Sequence, residues 1–143
     1  MYTGLRIKVT VKQEFRQIIN EINNEETYFS EYVEQFSFLD KFAKTRRSDL
    51  IPTGTSAYMP TGWLTGEYPN EQATDGFDRN IDMNTGLWIF QCCLKNYDNE
   101  IDIFLTDVLA NIIESSEHIE KKSEGDNNSI FYKYINGEIV SVN

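Results

Sequence analysis

Apolar and polar side chains alternate strictly near the start of the chain. Leu5, Ile7, Val9 and Val11 share one parity, and Arg6, Lys8, Thr10 and Lys12 the other, which is the period of a strand from Leu5 to Lys12 with one solvated face. The period then changes. Phe15, Ile18, Ile19 and Ile22 recur at i, i+3, i+4 and i+7, predicting an amphipathic helix that starts around Val11 to Gln13 and ends at Asn23 or Asn24. Phe29, Tyr32, Val33, Phe36, Leu39 and Phe42 predict a second helix from Thr27, its N-cap, to about Lys44.

Between Ile51 and Phe77 the pattern dissolves. All three prolines (Pro52, Pro60, Pro69) fall there among Gly54, Gly62, Gly66 and Gly76, so irregular structure is expected, with at most a short edge or bulged strand within Ser56 to Thr65 because Pro60 has no amide to donate. A hairpin follows: Phe77 to Ile81, a turn over Asp82 to Gly86, then Leu87 to Lys95. Its second arm, LWIFQCCLK, is apolar on both parities and reads as the centre of the sheet, covered on both sides, with Trp88 buried. Asp98 or Asn99 can cap a third helix whose buried stripe is Ile101, Phe104, Leu105, Val108, Ile112 and Ile113, ending near Glu114 to Ser116. His118 to Lys122 and Ile130 to Ile135 read as strands. Asn136-Gly137 suits a type I′ turn leading into Glu138 to Val142. Together these elements predict a single α+β domain over residues 1–143, a largely antiparallel sheet with about three helices packed mainly on one face.

The composition narrows the function. A chain of 143 residues with 40% hydrophobic side chains can bury one core. Its formal charge is −10, and the charge is polarised: up to Leu50 there are eight basic and eight acidic residues, and beyond it five basic and fifteen acidic. That balance disfavours phosphate tracking and so a nucleic-acid partner, and it fits an acidic surface that steers a basic protein. No apolar run approaches the ~20 residues of a bilayer span, so no membrane partner is expected. The alternating N-terminus does not read as a signal peptide. Cys92 and Cys93 are adjacent on a strand and point to opposite faces, which suits reduced thiols and a cytoplasmic location.

Candidate chemistry is sparse. His118, the sole histidine, would need Cys92 or Cys93 beside it to form a nucleophilic pair, whereas strand thiols ordinarily belong to the core. Asp78, Asn80, Asp82 and Asn84 imitate the start of a calcium loop, but Met83 and Ile89 stand where the EF-hand needs Gly and Glu. A hairpin turn accounts for them. Carboxylate pairs such as Glu100 with Asp102 or Glu117 with Glu120 read as surface groups, and Arg46 and Arg47 as cations at a helix C-terminus. No phosphate-binding glycine motif occurs. No catalytic residue, metal or cofactor is therefore expected. The stretch TGTSAYMPTGWLTGEYPNE sets Tyr58, Met59, Trp63 and Tyr68 among turn residues, either as a contact surface or as a cover for the sheet. With Asp75, Asp78 and Asp82 they form the candidate partner-binding set. The alternative is a small-ligand or enzyme pocket walled by residues 54–77, with Cys92 or His118 nearby.

The segments YTGLRIKVTVKQEFR, SAYMP and TGLWIFQCCLKNYDNEIDIFL resemble a group of small uncharacterised bacterial cytosolic proteins. In type, small, acidic and poor in catalytic residues, the chain is similar to immunity proteins of bacterial toxin systems. That similarity implies a non-enzymatic protein that covers and inhibits a protein partner.

Overall fold

The computed structural model describes residues 1–54, 58–63 and 76–142. Six strands form one antiparallel sheet, curled into a half-barrel: β1 (Tyr2–Val11), β2 (Asn80–Ile81), β3 (Leu87–Lys95), β4 (Ile113–Ser123), β5 (Ile130–Ile135) and β6 (Glu138–Ser141), in the order β2-β3-β1-β4-β5-β6. The helices are α1 (Arg16–Asn23), α2 (Asp40–Ala43) and α3, which runs over residues 100–112 with a π-helical middle at Phe104–Leu109. The fold is α+β, as the patterning predicts.

Strand parity sorts the side chains. Leu5, Ile7, Val9 and Val11 of β1 lie level with Cys92, Phe90 and Trp88 of β3 and with Ile119 of β4, and all are buried beneath the helices. Ile19 and Ile22 of α1, Phe42 of α2 and Phe104, Leu105 and Val108 of α3 close this core. Phe104 meets Phe29, Phe42, Trp88 and Phe90 with ring centres 5.6 to 6.4 Å apart, a mostly edge-on cluster that gains beyond simple area burial. The indole Nε1 of Trp88 donates to the buried Asn23 Oδ1 at 3.0 Å, which fixes the end of α1 on the sheet.

Three expectations change. The second helix is broken into 3₁₀ turns at Phe29–Tyr32 and Ser37–Leu39 before α2. Its apolar residues are spaced mostly by three, and from Phe29 to Phe42 an α-helix would turn through ~1300°, ending ~220° past a full turn. A spacing of three is the 3₁₀ period, so tight turns keep these rings on the core where one straight helix cannot. Second, β3 is not the sheet's centre; β1 and β4 are, and β3 has only the two-residue β2 outside it. Its two-sided burial comes from what covers it. Beyond β2 the chain crosses its outer edge at Gly54, where an added Cβ would lie 2.6 Å from the backbone oxygen of Cys93, so only glycine lets the crossing approach so closely. Third, α3 is capped by Asn96, whose Oδ1 accepts from Ile101 N–H at 2.8 Å, while Asn99 takes a left-handed conformation without a side-chain cap. The helix passes straight into β4 at Ile113, which makes that strand longer than His118 to Lys122. The C-terminal hairpin matches: Asn136 and Gly137 have φ of 49° and 85°, as a type I′ turn requires.

Trp88 is fully buried, so Trp88→Ala is expected to cost about 3 to 5 kcal/mol. Trp88→Phe keeps most of the ring but strands the Asn23 oxygen, for about 1 to 3 kcal/mol. Denaturant unfolding of both variants checks the ranking; a loss below about 1 kcal/mol for the alanine would show that this ring does not hold the helices to the sheet.

Candidate functional site

The other parity of the strands builds a second, more polar face. Gly4, Arg6 and Lys8 of β1 stand level with Cys93, Gln91 and Ile89 of β3 and with Lys122, Glu120 and His118 of β4. The sequence pattern reads this face as solvated. In the structure the Arg6 side chain is only 12% exposed and that of Glu120 only 8%. The guanidinium carbon of Arg6 sits 4.0 Å from the ring centre of Trp63 and 4.9 Å from that of Phe77. Its Nε donates to Gln91 Oε1 at 2.8 Å, and its Nη1 is 3.9 Å from Glu120 Oε1. Trp63 comes this close because residue 4 is glycine: a Cβ there would lie 2.6 Å from the indole and 2.8 Å from Pro60.

Glu120 is the hub of a network. It accepts from His118 Nε2 at 2.8 Å and from Ser129 Oγ, and His118 itself is flanked by the rings of Phe77 and Phe131. Burial pushes the Glu120 carboxyl up, yet the bonds from His118 and Ser129 and the charge of Arg6 outweigh it and hold the group below its usual value. Burial pulls the Arg6 guanidinium down, opposed by Glu120. The order Ser129, Glu120, His118 places the carboxylate between hydroxyl and imidazole. A nucleophilic triad needs the imidazole in the middle, so this constellation orients and neutralises rather than activates.

The thiols are equally settled. Burial raises both, Cys92 well above its ordinary value and Cys93 to about 12, and Cys93 Sγ donates to the carbonyl of Tyr58 at 2.9 Å. Cys93 pairs with Gly4 and His118 with Lys8, four residues along β1 and two strand spacings across, or ~17 Å. They form no pair. Asp82 Oδ1 accepts from the amides of Asn84 and Thr85 at 2.8 and 3.2 Å, bonds that hold its carboxyl below the usual value. This is turn chemistry. Among the described residues no three His, Cys, Asp or Glu side chains converge to hold a metal, and no helix is long and apolar enough to cross a membrane.

The candidate partner-binding residues separate. Tyr58 is 55% exposed, its ring stacked on that of Tyr2 at 4.6 Å and 10°. Met59 is half-buried, and Trp63 is a half-buried cover over Arg6. Asp78 is exposed. Asp82 bonds to Leu87 at the far end of β3, ~20 Å of strand from the Cys93 level at which Tyr58 sits, so the two do not share a patch. Tyr68 and Asp75 lie outside the described residues. The acid beside Tyr58 is instead Glu124, whose Oε1 accepts from the Tyr2 amide at 2.9 Å, with exposed Asp126 two residues on. Sequence reasoning missed Glu124, and it missed Arg6 with Glu120. Opposite charges at one parity of two strands were visible, but their pairing across β1 and β4 was not.

The Glu120 carboxyl binds its proton less tightly folded than unfolded, where it returns to about 4.5. Its stabilisation is complete above that pH and lost as pH falls through the lower folded value. Glu120→Gln should therefore flatten the acid limb of the melting temperature measured from pH 7 down to about pH 2. An acid limb as steep as the parent's would remove Glu120 from the account.

Comparison with known proteins returns no matching family model, no matching curated protein and no matching solved structure.

Proposed function

We propose that the chain is a non-enzymatic binding protein of the immunity or inhibitor type, whose partner is a basic protein. The observation that carries this reading is the exposed Tyr58 ring, held parallel on Tyr2 beside Glu124. Tyr2 belongs to β1, and the Tyr58 carbonyl is tied to β3 through Cys93, so the ring is already ordered and loses little rotamer freedom on contact. A rigid aromatic anchor with Glu124 on one side of its stacking partner, and Lys95 5.5 Å from the Tyr2 ring centre on the other, divides the work as interfaces do: the ring is desolvated at the centre, and the acidic excess of the chain steers from the surroundings.

A second reading, a binder of small organic anions, rests on a concavity of ≈ 500 Å³ lined by Tyr2, Arg47, Leu50, Thr53, Leu94 and Lys95 together with Cys93. At its wall Arg47 holds a buried Nη1 that makes no hydrogen bond and stands 3.9 Å from the buried Glu100 carboxylate, so an anion here would share this cation with Glu100. Titration calorimetry with phosphate and benzoate tests it: saturable heat lost in Arg47→Ala favours this reading over the first.

For the protein partner, capture from the native lysate followed by kinetics across a salt series is the measurement. Added salt should slow association far more than it speeds dissociation. Tyr58→Ala should speed dissociation about 30-fold, the equivalent of about 2 kcal/mol for a hot-spot ring. An unchanged dissociation rate in Tyr58→Ala places the interface elsewhere.

A further inference from the structure

The two edges of the sheet are unlike. At the β3 side, the two-residue β2 and the crossing at Gly54 cover the edge. At the other side β6 is the last strand. Its pairing follows Ile135↔Glu138, Tyr134↔Ile139, Lys133↔Val140 and Tyr132↔Ser141, and the Val142 amide donates to the Phe131 carbonyl at 3.0 Å. In an antiparallel ladder hydrogen-bonded and non-hydrogen-bonded pairs alternate. Val142, Val140 and Glu138 therefore direct their backbone groups to β5, and Ile139 and Ser141 direct theirs outward. Among the described residues no other element bonds to these groups.

Beside this edge lies a groove of ≈ 290 Å³ between β6 and α3, lined by Thr106, Ala110, Gly137, Glu138, Ile139 and Val140. The wall on α3 is made of small side chains, which leaves room for a neighbour. Glu138 is the one charged residue of that lining and Asp107 follows Thr106; on the face to which Glu138 points, the neighbouring cation is Lys133 of β5, in register with Val140, and the rest of the chain carries the acidic excess. Ile139 faces the helix layer and packs against the core, while Glu138 and Val140 point to the opposite face.

We propose that β6 and α3 form a docking groove for an extended basic segment of a partner protein, which adds to the sheet as a seventh strand. This rests on the reading of the chain as a binding protein and gives it a second, separate surface. Backbone groups of Ile139 and Ser141 supply the main-chain hydrogen bonds, and alternate side chains supply selectivity. On the helix side the segment presents small apolar residues to Thr106 and Ala110; on the other it presents Lys or Arg to Glu138. A second copy of this chain is the poorer occupant, since it would bring another net charge of −10 to the same edge.

The probe is the peptide acetyl-Lys-Val-Lys-Val-Lys-Val-Lys-amide, followed by calorimetry and by amide NMR of the full chain. Expected are saturable binding, shifts and slowed exchange at the Ile139 and Ser141 amides, and loss of binding when alternate peptide nitrogens are methylated. Ser141→Pro removes one outward donor from an exposed edge position, where proline is tolerated, and should abolish binding with the melting temperature kept. Glu138→Lys should weaken it about tenfold. Absence of binding at millimolar peptide, equal binding of the Glu-Val counterpart, or undiminished binding by Ser141→Pro overturns the proposal. So does a parent dimer in sedimentation that Ser141→Pro dissociates, which would assign the edge to a second copy. The Tyr58 surface is judged separately, because its captured partner is measured with Tyr58→Ala, a variant that leaves this edge untouched.

Discussion

A guanidinium on the central strand sets the terms for the whole second face of the sheet. A cation with the exposure of Arg6 loses most of its hydration, a cost of several kcal/mol unless it is paired and bonded. Here an amide oxygen, a carboxylate and two aromatic faces replace the water. Each replacement constrains another part of the chain. Trp63 must lie flat on β1, so residue 4 must be glycine; Glu120 must stay ionised, so His118 and Ser129 turn toward it. The network joins β3, β1, β4 and the approach to β5 through one ion.

Much of this was legible in the sequence, and the illegible part has a physical cause. Alternation in β1 and the Asn136-Gly137 turn are local properties, and both appear as read. Parity, however, says which side chains share a face and not what lies over it, so the face of Arg6 looked wet. The same limit misplaced β3, because burial on both sides looks alike for a central strand and for one capped by a crossing turn. The second helix failed for a different reason. Steps of three and of four both look helical over one or two turns, and only the accumulated angle from Phe29 to Phe42 shows that a single α-helix cannot keep those rings inward.

At the candidate surface the sequence marks a segment without its geometry. Tyr58 and Trp63 are five residues apart, yet one faces solvent on a tyrosine stack and the other closes over a cation. What separates them is the partner each finds on β1, Tyr2 or Arg6, a long-range pairing that no local pattern encodes. The acidic excess likewise resolves into unlike groups: Asp82 is consumed by its own turn and Glu120 by Arg6, whereas Glu124 retains an exposed carboxylate beside an aromatic ring.

The unequal edges bear on assembly. Fibre growth by strand pairing requires every molecule to offer two compatible edges, so that each addition regenerates the site it consumes. This sheet ends on one side in two residues and a glycine-tight crossing, and among the described residues β6 is the edge that remains open as a template. Pairing there uses up the acceptor without presenting a new one. Such a molecule is a chain terminator in the polymer sense: strand addition at β6 stops after one step, and the open edge does not become a seed for aggregation.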